Sequence, residues 1–167
     1  ERADNMKVIG RAGTGVDNVD IPAATKRGII VANAPESNSV AAAEHTLALA
    51  LALFRNVPQA HASLVAGRWD RGLYKGSELY GKTLGVIGFG RIGQLVAKRA
   101  QAFDMEVLAF DKFVSAERFK DLGVEGVDSV DEIYKRADLL TIHLPKTPET
   151  VNWIDADAIA KFKPGMR

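Results

Sequence analysis

The sequence predicts an α/β fold with a doubly wound parallel sheet, and three observations carry that expectation. Short apolar runs of strand length alternate with stretches of helical periodicity along the chain. Gly88-Phe89-Gly90-Arg91-Ile92-Gly93 follows directly on the apolar run 83–87 and opens a helical pattern over 92–103, with apolar residues at Ile92, Leu95, Val96, Ala100 and Phe103. Asp111 lies 18 residues beyond Gly93, at the end of a second apolar run, 105–110. Strand, glycine turn, helix, strand and terminal acid together spell a Rossmann-like βαβ unit.

The spacing makes chemical sense for a dinucleotide. Gly88 lets the chain turn sharply off the strand, Gly90 lets backbone approach a pyrophosphate, and Gly93 lets the helix pack close to the sheet. The diphosphate then meets the helix N-terminus, where unpaired N–H groups and the positive end of the dipole point at it. A purely structural βαβ turn is the alternative for the glycines, and a solvated strand-end carboxylate or helix cap for Asp111. As a ribose acceptor, Asp111 favours NAD over NADP, because a carboxylate repels a 2′-phosphate. Like charges about 4 Å apart cost about 1 to 4 kcal/mol in a protein-surface environment. Lys112 is expected to point into solvent.

The other elements follow in order. Residues 6–10 read as a strand, followed by the loop Arg11-Ala12-Gly13-Thr14-Gly15. A helix is expected over 20–26, with Asp20 as N-cap, Pro22 in the first turn and Gly28 ending it before a strand at 29–31. Residues 1–35 are thus expected to be a piece of one domain, and 36–167 a second, nucleotide-binding domain. The polar segment 33–39 leads into a helix over 40–54 capped by Asn38 or Ser39. Its apolar residues fall on nearly every side, which calls for cover on nearly every side, so it is expected to be a central packing element or a subunit interface. Pro58 interrupts or restarts this helix, which continues to Ala66 before Gly67. Residues 68–80 read as an irregular connection. Beyond Asp111, helices are expected at 116–122, 130–136 and 154–162, an extended segment at 124–127, and a third core strand at 138–145. Because ligands of open α/β sheets sit beyond the carboxyl ends of the strands, the backbone from His143 through Leu144 and Pro145 to Lys146 should line the crevice.

Composition narrows the function classes. The 167 residues carry 22 basic and 21 acidic side chains, a net charge of +1, and no long basic run, which argues against nucleic acid or an anionic membrane as partner. The apolar stretch 40–54 is too short and, with Glu44 and His45, too polar for a bilayer span. There is no cysteine, which removes disulfides, thiolate nucleophiles and Cys-ligated zinc and fits a reducing compartment, with the cytoplasm as the expected location. No export signal, repeat or metal-binding spacing stands out. A start at Glu1 and an end in the turn 163–167 give the expectation of a piece of a longer protein.

Three stretches together, Arg11 through Asp20, Gly81 through Gly93, and His143-Leu144-Pro145, closely resemble the D-isomer-specific 2-hydroxyacid dehydrogenases. The likeness covers essentially the whole chain and leans toward the members that act on a phosphorylated 2-hydroxy acid, 3-phosphoglycerate. It implies two domains, the N-terminal piece belonging to a flavodoxin-like substrate domain, and NAD as cofactor. It implies that Gly88, Gly90, Arg91, Ile92 and Gly93 hold the pyrophosphate, Asp111 the adenosine ribose, and His143, Leu144 and Pro145 the adenine side or nicotinamide ribose. Thr14 would touch the nicotinamide end, and Arg11 with Gly13 the substrate. A guanidinium fork suits phosphate or carboxylate, the alternative for Arg11 being a salt bridge at a domain interface. The family's catalytic Arg, Glu and His are implied to lie beyond Arg167, so no catalytic residue is assigned here.

The three histidines do not replace them. His45 reads as a core or interface group, His61 as a helix-face residue, and His143 as a strand-end group on the adenosine half. Glyoxylate or hydroxypyruvate reductases share most of these motifs. In a different class stand a dinucleotide-binding corepressor-like protein and a non-catalytic dimerisation module, and the apolar helix 40–54 makes a homo-oligomer the expected state.

Overall fold

A computed structural model describes residues 4–167. The described residues fall into two compact units, 4–41 and 42–167, the division falling inside the first turn of the long apolar helix.

In the first unit, β1 (Val8–Arg11) and β2 (Ile30–Asn33) pair in parallel, with Val8 opposite Ile30 and Arg11 opposite Asn33. Helix α1 (Ile21–Lys26) joins them. Its N-cap is Asp20, whose carboxylate accepts from the Ala23 N–H at 2.9 Å, and Pro22 occupies the first turn. The two strands begin later than the sequence indicates because Met6 and Ile29 lie outside the paired register.

The second unit is a four-stranded, wholly parallel sheet in the order β5-β4-β3-β6. The chain runs from β3 (Thr83–Ile87) through α4 (Arg91–Gln101) to β4 (Glu106–Phe110), and through α5 (Ala116–Asp121) to β5 (Glu125–Gly126). It then crosses back through α6 (Val130–Arg136) to β6 (Leu139–Ile142) on the other side of β3. The winding therefore reverses between β3 and β6, where open α/β sheets leave their crevice.

Strand residues alternate between two cores. Leu84, Val86, Val107, Ala109 and Leu139 pack into one core with Ala43, Leu47, Ala50 and Phe54 of α2 (Ser39–Phe54) and Val96, Ala97 and Ala100 of α4. Ile87, Leu108 and Leu140 enter the other, with Ile133 and Tyr134 of α6. A sheet covered on both faces needs apolar side chains at successive positions, which is why β3 and β4 read as continuous apolar runs. Gly85 is the exception with a cause: a Cβ there would collide with Ile133 Cγ2. Asp138 pins the start of β6. Burial opposes its charge, but the Lys163 ammonium at 2.8 Å and the Thr83 N–H at 2.9 Å outweigh this and hold its carboxyl below the usual range.

Several expectations need correction. Helix α4 buries Gly93, Val96, Ala97 and Ala100, whereas Phe103 lies beyond its end and is 41% exposed. The helix stops because Asp104 turns left-handed, and Met105 takes the buried place. Helix α7 is Ala156–Ala160, shorter than expected, because Asp155 caps it and leaves Ile154 outside. Helix α2 is covered on one face only: Leu49 and Leu53 are exposed, and so is His45, which removes the core from the two places expected for it and leaves the interface. Between α2 and α3 (Val57–Val65), Asn56 adopts a left-handed conformation ahead of Pro58, and the axis bends by 65°. Among the described residues no single helix is long and apolar enough to cross a membrane, and only this bent pair passes by length and composition. A 3-10 turn, Arg71–Tyr74, interrupts the irregular connection.

Candidate dinucleotide site

The site is built where β3, β4 and β6 end. Gly88 leaves β3 with φ of 90°, a conformation that suits glycine, and its N–H donates to the Phe110 carbonyl at 2.9 Å. A Cβ at Gly88 would sit 2.6 Å from the His143 carbonyl oxygen, so the exits of β3 and β6 approach closely only because no side chain separates them. Phe89 points into the core, where its ring lies 5.0 Å from that of Phe119. Gly93, on α4, is buried against the Gly88 carbonyl oxygen, which a Cβ would strike. Two of the three glycines are thus required by the protein's own packing.

Gly90 is different. Its φ of −72° is open to any residue, and a Cβ there would meet nothing within 4 Å. It is the N-cap of α4, it makes no side-chain cap hydrogen bond, and the first turn of the helix holds no acid. Backbone donors beside an exposed position where a side chain would intrude only on a ligand fit a bound diphosphate. Arg91 is exposed and Ile92 half-buried on the same turn.

Asp111 closes the second side. Its Oδ2 accepts from the Phe89 N–H at 2.7 Å and its Oδ1 from the Phe113 N–H at 2.8 Å. One carboxylate therefore fastens the glycine turn to the loop after β4. Two carboxylate oxygens offer about four acceptor directions, so both retain capacity for ribose hydroxyls. Lys112 is exposed, as expected.

The third side comes from β6. The His143 N–H donates to the Ile87 carbonyl at 2.8 Å, and its Nε2 lies 3.0 Å from the Thr141 hydroxyl, an uncharged partner. Burial pushes the His143 imidazole below its ordinary value. Leu144 and Pro145 follow, and the Pro145 carbonyl accepts from the Thr150 hydroxyl at 2.7 Å, which holds the loop. A cavity of about 530 Å³ opens between these walls. It brings together Gly90, Asp111, His143, Leu144 and Pro145, along with Phe110, Phe113, Thr147, Glu149 and Trp153, which the motifs do not single out. The Trp153 ring lies 6.4 Å from that of Phe110. Lone aromatics in loops have no periodicity to mark them, and only the spacing of Phe113 from Asp111 offered a hint.

Arg11, Gly13 and Thr14 belong to the first unit. The Arg11 guanidinium folds over its own loop, donating to the Ala12 carbonyl at 3.0 Å, and its Nε is buried without a hydrogen-bond partner. The Thr14 hydroxyl donates to Asn38 Oδ1 at 2.7 Å.

A family model, D-isomer specific 2-hydroxyacid dehydrogenase, NAD binding domain, matches residues 47–167. The chain belongs to that family. The D-3-phosphoglycerate dehydrogenase of Methanocaldococcus jannaschii is 55% identical over 163 residues, 98% of this chain and 31% of that protein. The enzyme of the same name from Synechocystis sp. is 50% identical over the full 167 residues, 30% of its own length. The chain thus spans about a third of these relatives. Among solved structures, the NAD-dependent formate dehydrogenase of Staphylococcus aureus in complex with NAD superposes with a TM-score of 0.83 at 37% identity, covering 96% of this chain and 48% of that one. Residues 47–167, which hold the four-stranded Rossmann-like sheet, accordingly match the family's NAD-binding domain.

Proposed function

We propose that this chain is the cofactor-binding part of an NAD-dependent oxidoreductase acting on a D-2-hydroxy acid, and that the acid carries a phosphate, as 3-phosphoglycerate does. The observation that carries the cofactor assignment is the paired arrangement of Gly90, open to solvent at the head of α4, and Asp111, at the end of the neighbouring strand. Bound NAD supplies hydride acceptance at its nicotinamide ring. Gly88, Gly90, Arg91, Ile92 and Gly93 hold the pyrophosphate, Asp111 accepts from the adenosine ribose, and the backbone of His143 to Pro145 lines the adenosine side. Thr14 is assigned to the nicotinamide end, and Arg11 with Gly13 to the substrate. Support for a phosphorylated substrate comes from the names of the relatives. No catalytic side chain is assigned within these residues. The exposed Leu49 and Leu53 on α2 support self-association through that helix.

The test of the substrate class is steady-state kinetics of the full-length protein with NAD and either 3-phosphoglycerate or glycerate. The phosphorylated acid is expected to win in kcat/KM by at least about tenfold, the worth of one charge-assisted hydrogen bond. Equal values, or a preference for glyoxylate in the reverse direction, point instead to a reductase of small 2-oxo acids.

A further inference from the structure

A glycine at position 90 leaves room for a ligand, but it also leaves the peptide before it loose. The Phe89–Gly90 peptide inverts when ψ of Phe89 and φ of Gly90 change together, and glycine puts little penalty on that flip. One orientation offers the Gly90 N–H at the head of α4, and the other offers the Phe89 carbonyl oxygen, the negative end of the dipole. Gln94, half-buried on the first turns of α4, discriminates between them. Its Nε2 donates to the Phe89 carbonyl at 2.9 Å. The C=O and N–H of a trans peptide point in opposite directions, so the Gly90 N–H faces away from the Gln94 side chain. We propose that Gln94 is a positioning residue for the dinucleotide: it holds the Phe89–Gly90 peptide so that the Gly90 N–H, and not the Phe89 carbonyl oxygen, meets the diphosphate. This rests on the assignment of the glycine turn to the pyrophosphate.

The brace is itself oriented. Arg118 of α5 donates from Nη2 to Gln94 Oε1 at 2.8 Å, which keeps the amide oxygen on the side of the cation and turns the NH2 toward Phe89. A cation on the oxygen also polarises the amide and strengthens its donation. The helix does not need this side-chain bond, because the Gln94 backbone N–H already makes the regular helical bond to the Gly90 carbonyl at 3.0 Å. The preceding peptide is held separately, by Asp111 Oδ2 on the Phe89 N–H. Loss of the Gln94 amide therefore frees one peptide of the turn and leaves the ribose end in place.

The experiment displaces NADH, followed by its fluorescence, from the full-length protein with ADP-ribose, which carries the diphosphate, or with adenosine, which lacks it. Gln94→Met keeps the length and helix preference of the side chain and removes the donor. It should weaken ADP-ribose by about tenfold, the loss of a hydrogen bond to a charged group, and leave adenosine unchanged. Arg118→Met, at an exposed position outside both cores, keeps the test open should Gln94→Met fold poorly, and should give the same split by a smaller factor. A purely structural brace moves the two ligands together. ADP-ribose bound as tightly as by the parent, or adenosine weakened as much as ADP-ribose, overturns the proposal and leaves the pyrophosphate assignment standing. A parent protein that binds ADP-ribose no tighter than adenosine overturns that assignment, and this proposal with it.

Discussion

Three glycines of one motif do different work, and substitutions separate them. Gly93→Ala places a methyl against the Gly88 carbonyl and should cost about 1 to 3 kcal/mol, as overpacking does, lowering the melting temperature by several degrees. A Cβ at Gly90 meets no protein atom within 4 Å, so Gly90→Val should cost the fold only about 1 kcal/mol of N-cap preference while NADH binding falls by about tenfold or more, the loss of a hydrogen bond to a charged group. A Gly90→Val protein that binds NADH normally would refute the pyrophosphate assignment. His143 gives a pH prediction. Its folded-state pKa lies below the unfolded value because burial disfavours the cation. The unfolded chain therefore binds more protons as pH drops, and stability is lost as pH falls through the unfolded value toward the folded one. His45 and Arg167 line the groove on one side of His143, and Asp111, Lys112 and Glu149 the cavity on the other. Melts at pH 7.5 and 5.5 should show a smaller loss for His143→Gln than for the parent, and an equal loss would contradict the burial argument.

Among the elements, those with a chemical start signal were the most legible. Asp20 with Pro22 located α1, and the run ending at Ile87 located β3, because caps and apolar strands act locally. Helix α7 was overextended because Ile154 and Phe162 look like helix residues, yet they pack in the second core from outside the helix. Helix α2 misled in a more informative way. Its apolar residues surround it, but only the Ala43, Leu47, Ala50 and Phe54 stripe is buried, and a groove of about 490 Å³ beside β6 and Arg167 runs along Leu49 and Leu53. Burying two such leucines is worth about 1.5 to 3 kcal/mol each. Sedimentation at micromolar concentration should therefore give a dimer that Leu49→Lys with Leu53→Lys converts to monomer, and a monomeric parent would count against this face as the interface.

For the molecule as a whole, the sequence was legible wherever one short segment performed the chemistry. The glycine turn, Asp111 and the reversal of winding between β3 and β6 follow from spacing and apolar runs. His143, Leu144 and Pro145 follow from the strand end they occupy, but the rest of the cavity's walls does not, because Phe113, Thr147, Glu149 and Trp153 come from two loops and meet only through the fold. Nor did the second role of Asp111 as the tie between Phe89 and Phe113, since a carboxylate's partners are set by tertiary approach. The central claim is that this carboxylate, beside a helix N-terminus freed by Gly90, selects NAD. The most direct measurement is paired calorimetric titration of the chain with NADH and NADPH. The account predicts that NADH binds and that NADPH is weaker by an amount equivalent to about 1 to 4 kcal/mol, the repulsion between Asp111 and a 2′-phosphate. Equal or tighter binding of NADPH would contradict it.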